Sequence, residues 1–449
     1  MESADLLALR AKLASASPKN AWKTVRQLAL QGRGDDLELL FEFATEFAVA
    51  PDIDALLKLW PQAADRDGFA QHLLAPAFAA EGRTELMLRK QNIIIGLRHL
   101  TMLRTLTLDH CKGLTDLTEL SALIELRELD LDGCAAVTDL GPLAGLTELE
   151  SVSLARCRQV SDITPLLGLR RLRRLNLRSS GVVSVEGVGA AFPRLQFLDL
   201  NGCRFIDDIR PLSGLRNLIS LDVSSTKITS IEGLRDLDSV TELSMHCARL
   251  KSLDGIAAMP ALERLWLSGC TNLKSLDGLG HHPRLENLGL PSAPLPDLRP
   301  LSRLPALTRI SIDRFQRLTS LDGLEGHPSI SEIDLCYATT LTDLSALARM
   351  PALRELTLQG MDHLGDLAPI SGLLQLEILH VVFSDGLRTL GDPSGLPALR
   401  TLYLYRCSAL SDLGSVADLP GLKEVIVTEC PALPSGILSD LRTRGLLSG

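Results

Sequence analysis

From Leu103 onward, apolar and polar positions alternate in short bursts of one kind. The segments Leu103-x-x-Leu106-x-Leu108, Leu126-x-x-Leu129-x-Leu131, Leu149-x-x-Val152-x-Leu154, Leu172-x-x-Leu175-x-Leu177 and Leu195-x-x-Leu198-x-Leu200 each begin 23 residues after the last. Further segments open at Leu218, Val240, Leu262, Leu285, Leu307, Ile330, Leu353, Leu376, Leu399 and Leu422, every step 22 or 23 residues, so fifteen copies of one pattern run through the chain. Such a period predicts a stacked array, and it governs how everything local is read. Within a copy, Leu-x-Leu predicts a short strand with leucines inward and the intervening residues outward. One such strand buries almost nothing, but parallel stacking makes a continuous leucine core. After the strand come a turn, often Gly-Cys, and two more apolar steps such as Leu114-Thr-Asp-Leu117 and Leu120-x-x-Leu123. A copy this short has no room for a full helix on its outer side, so 3₁₀ or extended segments are expected there. The predicted fold class is an α/β solenoid: a right-handed horseshoe with a parallel concave sheet and short convex segments.

Residues 1–82 lack this register and read as a bundle of five short helices. The first, over Asp5 to Ala14, carries Leu6, Leu7, Leu9 and Leu13. A second starts at Ser17-Pro18 and sets Trp22, Val25, Leu28 and Ala29 on one face. A third opens at Asp35-Asp36 with Leu37, Leu40, Phe41, Ala44 and Phe47 and ends at Pro51, and two more span Ile53 to Trp60 and Phe69 to Phe78. The bundle is expected to cap the array by covering its first leucines. The alternative is a signalling module. Thr84 to Met102 reads as a degenerate first rung, with Leu86-x-Leu88 as strand and Ile93, Ile94, Ile95, Leu97 and Leu100 as core. Repeats then occupy 83–433. Residues 434–449 form a C-terminal cap, in which Ile437, Leu438 and Leu441 of a helix over Ser435 to Arg442 close the core.

These segments resemble the short-repeat leucine-rich-repeat proteins, and most closely the subclass that contains a protein-phosphatase regulatory subunit and the bacterial internalins. The repeats are also similar to those that bacterial NLR-like sensors join to an NTPase. The resemblance implies the solenoid fold and a binding role. It covers about three quarters of the chain but says little about which partner, because unrelated functions share the fold. One departure is visible: where the subclass usually places asparagine after the strand, this chain mostly has cysteine.

Seven cysteines, Cys111, Cys134, Cys157, Cys203, Cys270, Cys407 and Cys430, fall eight residues after the first leucine of their copy, so their spacing is the repeat spacing. Buried, reduced thiols donating to backbone carbonyls are expected. A line of ligands cannot converge on a tetrahedral metal, so no metal site is expected. The net charge of −9 argues against sequence-independent nucleic-acid binding. Met1-Glu-Ser-Ala-Asp lacks the features of a signal peptide, and no apolar run approaches the ~20 residues of a membrane span. A cytoplasmic monomer without membrane contact is expected, with the Arg-, Ala-, Leu- and Gly-rich composition of a GC-rich bacterial gene.

Searches for catalytic motifs find no phosphate-binding Gly-x-x-x-x-Gly-Lys-Ser/Thr, no Gly-x-Ser-x-Gly, no His-Glu-x-x-His and no Cys-x-x-Cys. Asp130 and Asp132 pair at strand spacing on an open face, without the enclosure that separates carboxyl pKa values. His281-His282 is expected in a solvated turn. No catalytic residue, cofactor, metal or small-molecule substrate is therefore expected. What remains is the concave strip, ~70 Å long for fifteen strands. Its outward positions run through an acidic zone (Asp109, Glu128, Asp130, Asp132), a basic patch (Arg174, Arg178, with Arg156 near) and a second acidic stretch (Asp199, Asp222). Beyond these come His246, Arg264 and Trp266, then His380, Tyr403 and Tyr405, with Tyr337 and Phe383 near strand ends. Tryptophan, tyrosine and arginine dominate interface hot spots, so a protein partner is expected on this strip. The alternative function is a sensor or regulatory subunit of a multi-chain bacterial signalling or defence system.

Overall fold

The structure is a computed structural model that describes Ala11, residues 18–33, Leu37, Leu40, residues 53–314 and residues 319–448. The helix expected over Asp5 to Ala14 and most of the one opened at Asp35-Asp36 lie outside the described residues. The chain forms two compact units, Met1–Leu195 and Gln196–Gly449.

In the first unit, α1 (Pro18–Gln31) begins at the proline, whose missing N–H would have been unpaired there anyway. It is followed by α2 (Ile53–Leu59), α3 (Arg66–Phe69) and α4 (Ala75–Glu81), the last two joined through the π-helical turn Ala70–Leu74. The Asp65 carboxylate accepts the Gly68 N–H at 2.9 Å to cap α3, and Gly82, at φ 64°, closes α4. Leu56, Trp60, Phe69, Leu74 and Phe78 are buried among these helices, as are Leu37 and Leu40. Asp67 reaches Arg98 at 2.7 Å and His99 at 3.1 Å, and Arg98 continues to Glu119 at 2.6 Å, fastening α3 to the first rungs.

Five parallel strands follow: β1 (Glu85–Arg89), β2 (Thr105–Asp109), β3 (Glu128–Asp130), β4 (Ser151–Ser153) and β5 (Arg174–Asn176). Each is in register with the next, Glu85 opposite Thr105, Thr105 opposite Glu128, Glu128 opposite Ser151 and Ser151 opposite Arg174. The single helical turn α5 (Val188–Ala191) lies after β5. The second unit repeats the arrangement with β6 (Phe197–Asp199), β7 (Ser220–Asp222), β8 (Glu242–Ser244), β9 (Arg264–Trp266), β10 (Asn287–Leu290), β11 (Arg309–Asp313), β12 (Glu332–Cys336), β13 (Glu355–Gln359), β14 (Ile378–Val382), β15 (Thr401–Tyr405) and β16 (Glu424–Thr428). All pair in parallel, and the C-terminal helix α6 (Ser435–Thr443) is followed by a short last strand, β17 (Leu447–Ser448), beside β16.

The core of each unit is what the alternation requires. Inward pairs such as Leu106 and Leu108, Leu265 and Leu267, and Leu402 and Leu404 are at most 1% exposed. Short 3₁₀ turns carry Leu120, Leu143, Leu166 and Leu301 inward on the other wall. Ahead of them the Asp side chain of the Leu-Thr-Asp-Leu step accepts an N–H two residues on, as Asp116 does from Thr118 and Asp343 from Ser345, both at 2.8 Å.

Three expectations are corrected. Ile93 and Ile95 are 47% and 46% exposed, because that segment is a loop, while Ile94, Leu97 and Leu100 point inward with Leu86 and Leu88 of the strand. In α6 only Leu441 is buried. His282 is 3% exposed, not solvated, with its ring nitrogens facing the carbonyls of Leu279 and Ile256. It stands three residues before Leu285, the place of Leu123 before Leu126, where a core side chain belongs.

His327 holds the same place before Ile330 and is 4% exposed. Its Nε2 lies 3.3 Å from the Leu301 carbonyl and its Nδ1 accepts from Ser329 N–H at 3.5 Å, so the ring is neutral. Burial lowers its pKa from 6.5. A depressed folded value means that the unfolded chain binds the proton more tightly, so this contribution is complete above about pH 6.5 and is lost as pH falls below it. His327→Leu, the residue most rungs use there, should be more favourable at pH 5 than at pH 7. Urea midpoints of both proteins at the two pH values measure this; equal differences would show that His327 does not titrate on unfolding.

Candidate functional site

Alternation along the strands turns the residues two, four and six places after the first apolar residue of each copy toward solvent, and in twelve of the fifteen copies the residue at the seventh place takes a left-handed backbone that turns the chain outward. That seventh residue is His110 (φ 54°), Gly133 (φ 73°), Arg156 (φ 60°) and Ser179 (φ 55°) in the first unit. In the second it is Gly202 (φ 78°), Ser225 (φ 58°), Arg314 (φ 53°), Tyr337 (φ 52°), Gly360 (φ 65°), Phe383 (φ 51°), Arg406 (φ 53°) and Glu429 (φ 55°). For a residue with a Cβ this conformation costs ~1–2 kcal/mol, and a bulky aromatic there is an outlier.

The cysteines follow directly. All nine are free thiols. The Sγ of Cys134, Cys157, Cys247 and Cys270 donates to the carbonyl of Leu108, Leu131, Val223 and Met245 at 3.0, 3.1, 3.1 and 2.6 Å, in each case on the preceding rung. These four rungs have three-residue strands, which stop before their own amides reach that carbonyl. Where the strand runs to five residues the thiol bond is longer: 3.9 Å from Cys111 to Leu88 and 3.5 Å from Cys407 to Val381. Cys247 belongs to this set although it stands seven residues after Val240, since its rung is one residue short. Burial pushes the thiols of Cys134, Cys157 and Cys270 up to about 12. They are structural donors, not nucleophiles.

All the predicted face residues are on the solvent side. In the first unit, Asp109 sits beside His110, whose hydrogen bond holds its carboxyl below the usual range, with Arg89 at 3.5 Å. Asp130 accepts the Asp132 N–H at 2.9 Å and Asn176 that of Arg178 at 3.0 Å. Asp132 is ion-paired with Arg156, so the acidic and basic zones are partly joined. Arg174 and Arg178 are exposed.

In the second unit Asp199 and Asp222 each accept an N–H two residues on, from Asn201 and Ser224, at 2.8 Å, and Asn201 Nδ2 donates to Asp222 at 3.1 Å. These carboxylates end their strands as well as facing solvent. His246 is exposed, and Arg264 lies 3.7 Å from both Glu242 and Glu263. Trp266 is half-buried because Gly289 opposes it on β10: a Cβ there would stand 2.6 Å from the indole. His380 stacks on Tyr403, ring centroids 4.3 Å apart and 4° from parallel, with Glu355 3.7 Å away. Phe383 meets Tyr405 edge-on at 5.2 Å, and the Arg406 guanidinium lies 5.6 and 5.2 Å from their ring centroids. Sequence reasoning missed Arg406 and its partner Glu429, 2.5 Å away. The signal was available, since both occupy the seventh position of their copies, next to Tyr405 and Thr428.

The structure of a leucine-rich-repeat protein of Leptospira interrogans is similar at TM-score 0.51 and 16% identity, covering 84% of this chain and 92% of that chain. The fold is the leucine-rich repeat. An internalin of Listeria monocytogenes matches these rungs at TM-score 0.49 and 20% identity over 83% of this chain and 93% of that chain. The TLR13–ssRNA13 complex matches at TM-score 0.49 and 17% identity over 79% of this chain and 60% of that chain. No family model matches the chain, and no curated protein matches it in sequence. Among the described residues no group of His, Cys, Asp or Glu side chains could hold a metal ion, and no helix is long and apolar enough to cross a membrane.

Proposed function

We propose that the chain is a non-catalytic scaffold that binds a protein partner on the solvent side of its leucine-rich-repeat strands. One observation carries this reading. The inward positions repeat the same apolar residues with almost no exposure, whereas the outward positions hold arginines, carboxylates, a tryptophan and stacked aromatics that the repeat does not require. Side chains free of the core can be chosen for recognition, and a preformed face loses little entropy on binding. The thiols of Cys134, Cys157 and Cys270, pushed up to about 12 by burial, offer almost no thiolate at neutral pH, which argues against those three as catalytic nucleophiles. The fastening of α3 to the first rungs through Asp67 supports residues 1–82 as a cap.

Affinity capture from the native host with mass spectrometry identifies the partner, and calorimetry measures it. Trp266→Ala should weaken binding by ~2 kcal/mol or more, a loss of about thirtyfold, with the fold retained. Gly289→Ala, which pushes the indole off its seat, should weaken binding in the same direction. Unchanged affinity in both variants would take Trp266 out of the interface.

A further inference from the structure

The solvent side of β11 to β16, within the second unit, is chemically divided. On β11 to β13 it holds Asp313, Glu332, Asp334 and Glu355 against two guanidiniums. Arg309 pairs with Glu332 and stands 3.6 Å from Asp334, and Arg314 is 3.9 Å from Asp313. Among the described residues the ion-pair neighbour of Glu355 is His380, at 3.7 Å. Burial pushes the Glu332 carboxyl up, and repulsion from Glu355 and Asp334 adds to it against the pull of Arg309. Among the described residues, four carboxylates at that end stand against two guanidiniums. On β14 to β16 the face turns apolar and aromatic, with Val382, Phe383, Tyr405 and Ile426 beside the stacked His380 and Tyr403.

Arg406 shows what this surface accepts. Its guanidinium lies against two rings and is closed by the Glu429 carboxylate. Tyr337 repeats the aromatic half of that arrangement at the acidic end. It is 40% exposed, in the left-handed position where glycine is least strained, and its ring overlies Gly360, where a Cβ would stand 2.3 Å from it. Gln359 Nε2 donates to its hydroxyl at 3.1 Å, fixing the ring. Among the described residues no cation lies on that ring. A strained, held and half-exposed aromatic beside undercompensated carboxylates points to recognition.

We propose that β11 to β16 dock a segment of the partner protein that lays lysine or arginine on Tyr337 and its neighbouring carboxylates and an apolar or aromatic side chain on the Phe383–Tyr405 end. The two ends are two to three rungs apart, so the cationic and apolar anchors of the segment stand ~10–15 Å apart, about four residues of extended chain. This assignment rests on the protein-binding reading above and adds the partner's chemistry.

The test uses the full chain and two labelled synthetic peptides of about twelve residues, one with a Lys/Arg half and a Phe/Leu half, the other with Glu in place of each base. Fluorescence anisotropy should show saturable binding of the basic peptide only, weakening as salt rises from about 0.05 to 0.5 M. Tyr337→Gly leaves the net charge unchanged and suits the left-handed backbone; it should cut affinity about tenfold while the melting temperature moves only a few degrees. Equal binding of both peptides, no binding of either, or indifference to Tyr337→Gly overturns the assignment. A captured natural partner that is lost with Trp266→Ala but indifferent to Tyr337→Gly overturns this assignment alone. If no face variant disturbs that partner, the scaffold reading falls with it.

Discussion

Raising the pH from 9 toward 12 should unfold the chain far more steeply than its lysines and tyrosines alone would. Cys134, Cys157 and Cys270 are fully buried, and each thiol is pushed from 9.0 up to about 12. For a group whose folded pKa is raised, the contribution to stability is complete below the unfolded value and is lost as pH climbs to the folded one. Here that window runs from about pH 9 to about pH 12. A three-unit shift corresponds to up to about 4 kcal/mol per thiol across the window. Each thiolate would also abandon a carbonyl on the rung before it. Urea midpoints measured from pH 7 to pH 11 should fall sharply above 9, and a Cys134→Ala, Cys157→Ala, Cys270→Ala chain, less stable at pH 7, should show a much flatter alkaline limb. Parallel limbs in the two proteins would show that the thiols do not drive the loss. Below pH 8 the same cysteines should resist alkylation until the chain unfolds.

Two glycine substitutions in neighbouring rungs should have opposite signs. A Cβ on Gly386 would stand 1.6 Å from the Asp362 carbonyl oxygen, a backbone atom that cannot rotate away, so Gly386→Ala must force the stacked rungs away from each other. Overpacking of this kind costs ~3 kcal/mol or more. At Gly365, three residues after Asp362, a Cβ meets nothing within 4 Å and φ is unstrained. Gly365→Ala should therefore stabilise by ~0.4–1 kcal/mol, by restricting the unfolded chain. Thermal melts of the two single variants decide it. A Gly386→Ala melt equal to the parent's would mean that the rungs separate freely at this turn.

The 22- and 23-residue period carried the fold because each copy states the same inward leucines, and stacking is the one way to bury them all. The cysteine positions were readable for the same reason. Other features were hidden where the period says what a position does but not what occupies it. His282 and His327 stand in a core column; read as local dipeptides they suggest turns, and only counting from the next leucine reveals burial. Ile93 and Ile95 failed in the opposite way, since the first rung has no earlier copy to fix its register. At the face, alternation predicted the outward direction of Trp266, Tyr403 and Tyr405, but not that Gly289 makes a seat for the indole or that Arg406 stacks across Phe383 and Tyr405. Those depend on which residues stand opposite in the next rung, 22 or 23 positions away, and on a left-handed turn that polar and aromatic side chains occupy without a sequence signature.

Among the described residues of each unit, the amides and thiols that link rungs bond to the adjacent one. A gene segment encoding one rung can thus be copied or excised in frame by recombination, with only the two flanking seams to be matched. The number of stacked rungs can change in one genetic event, while point substitutions adjust chemistry on the rungs already there.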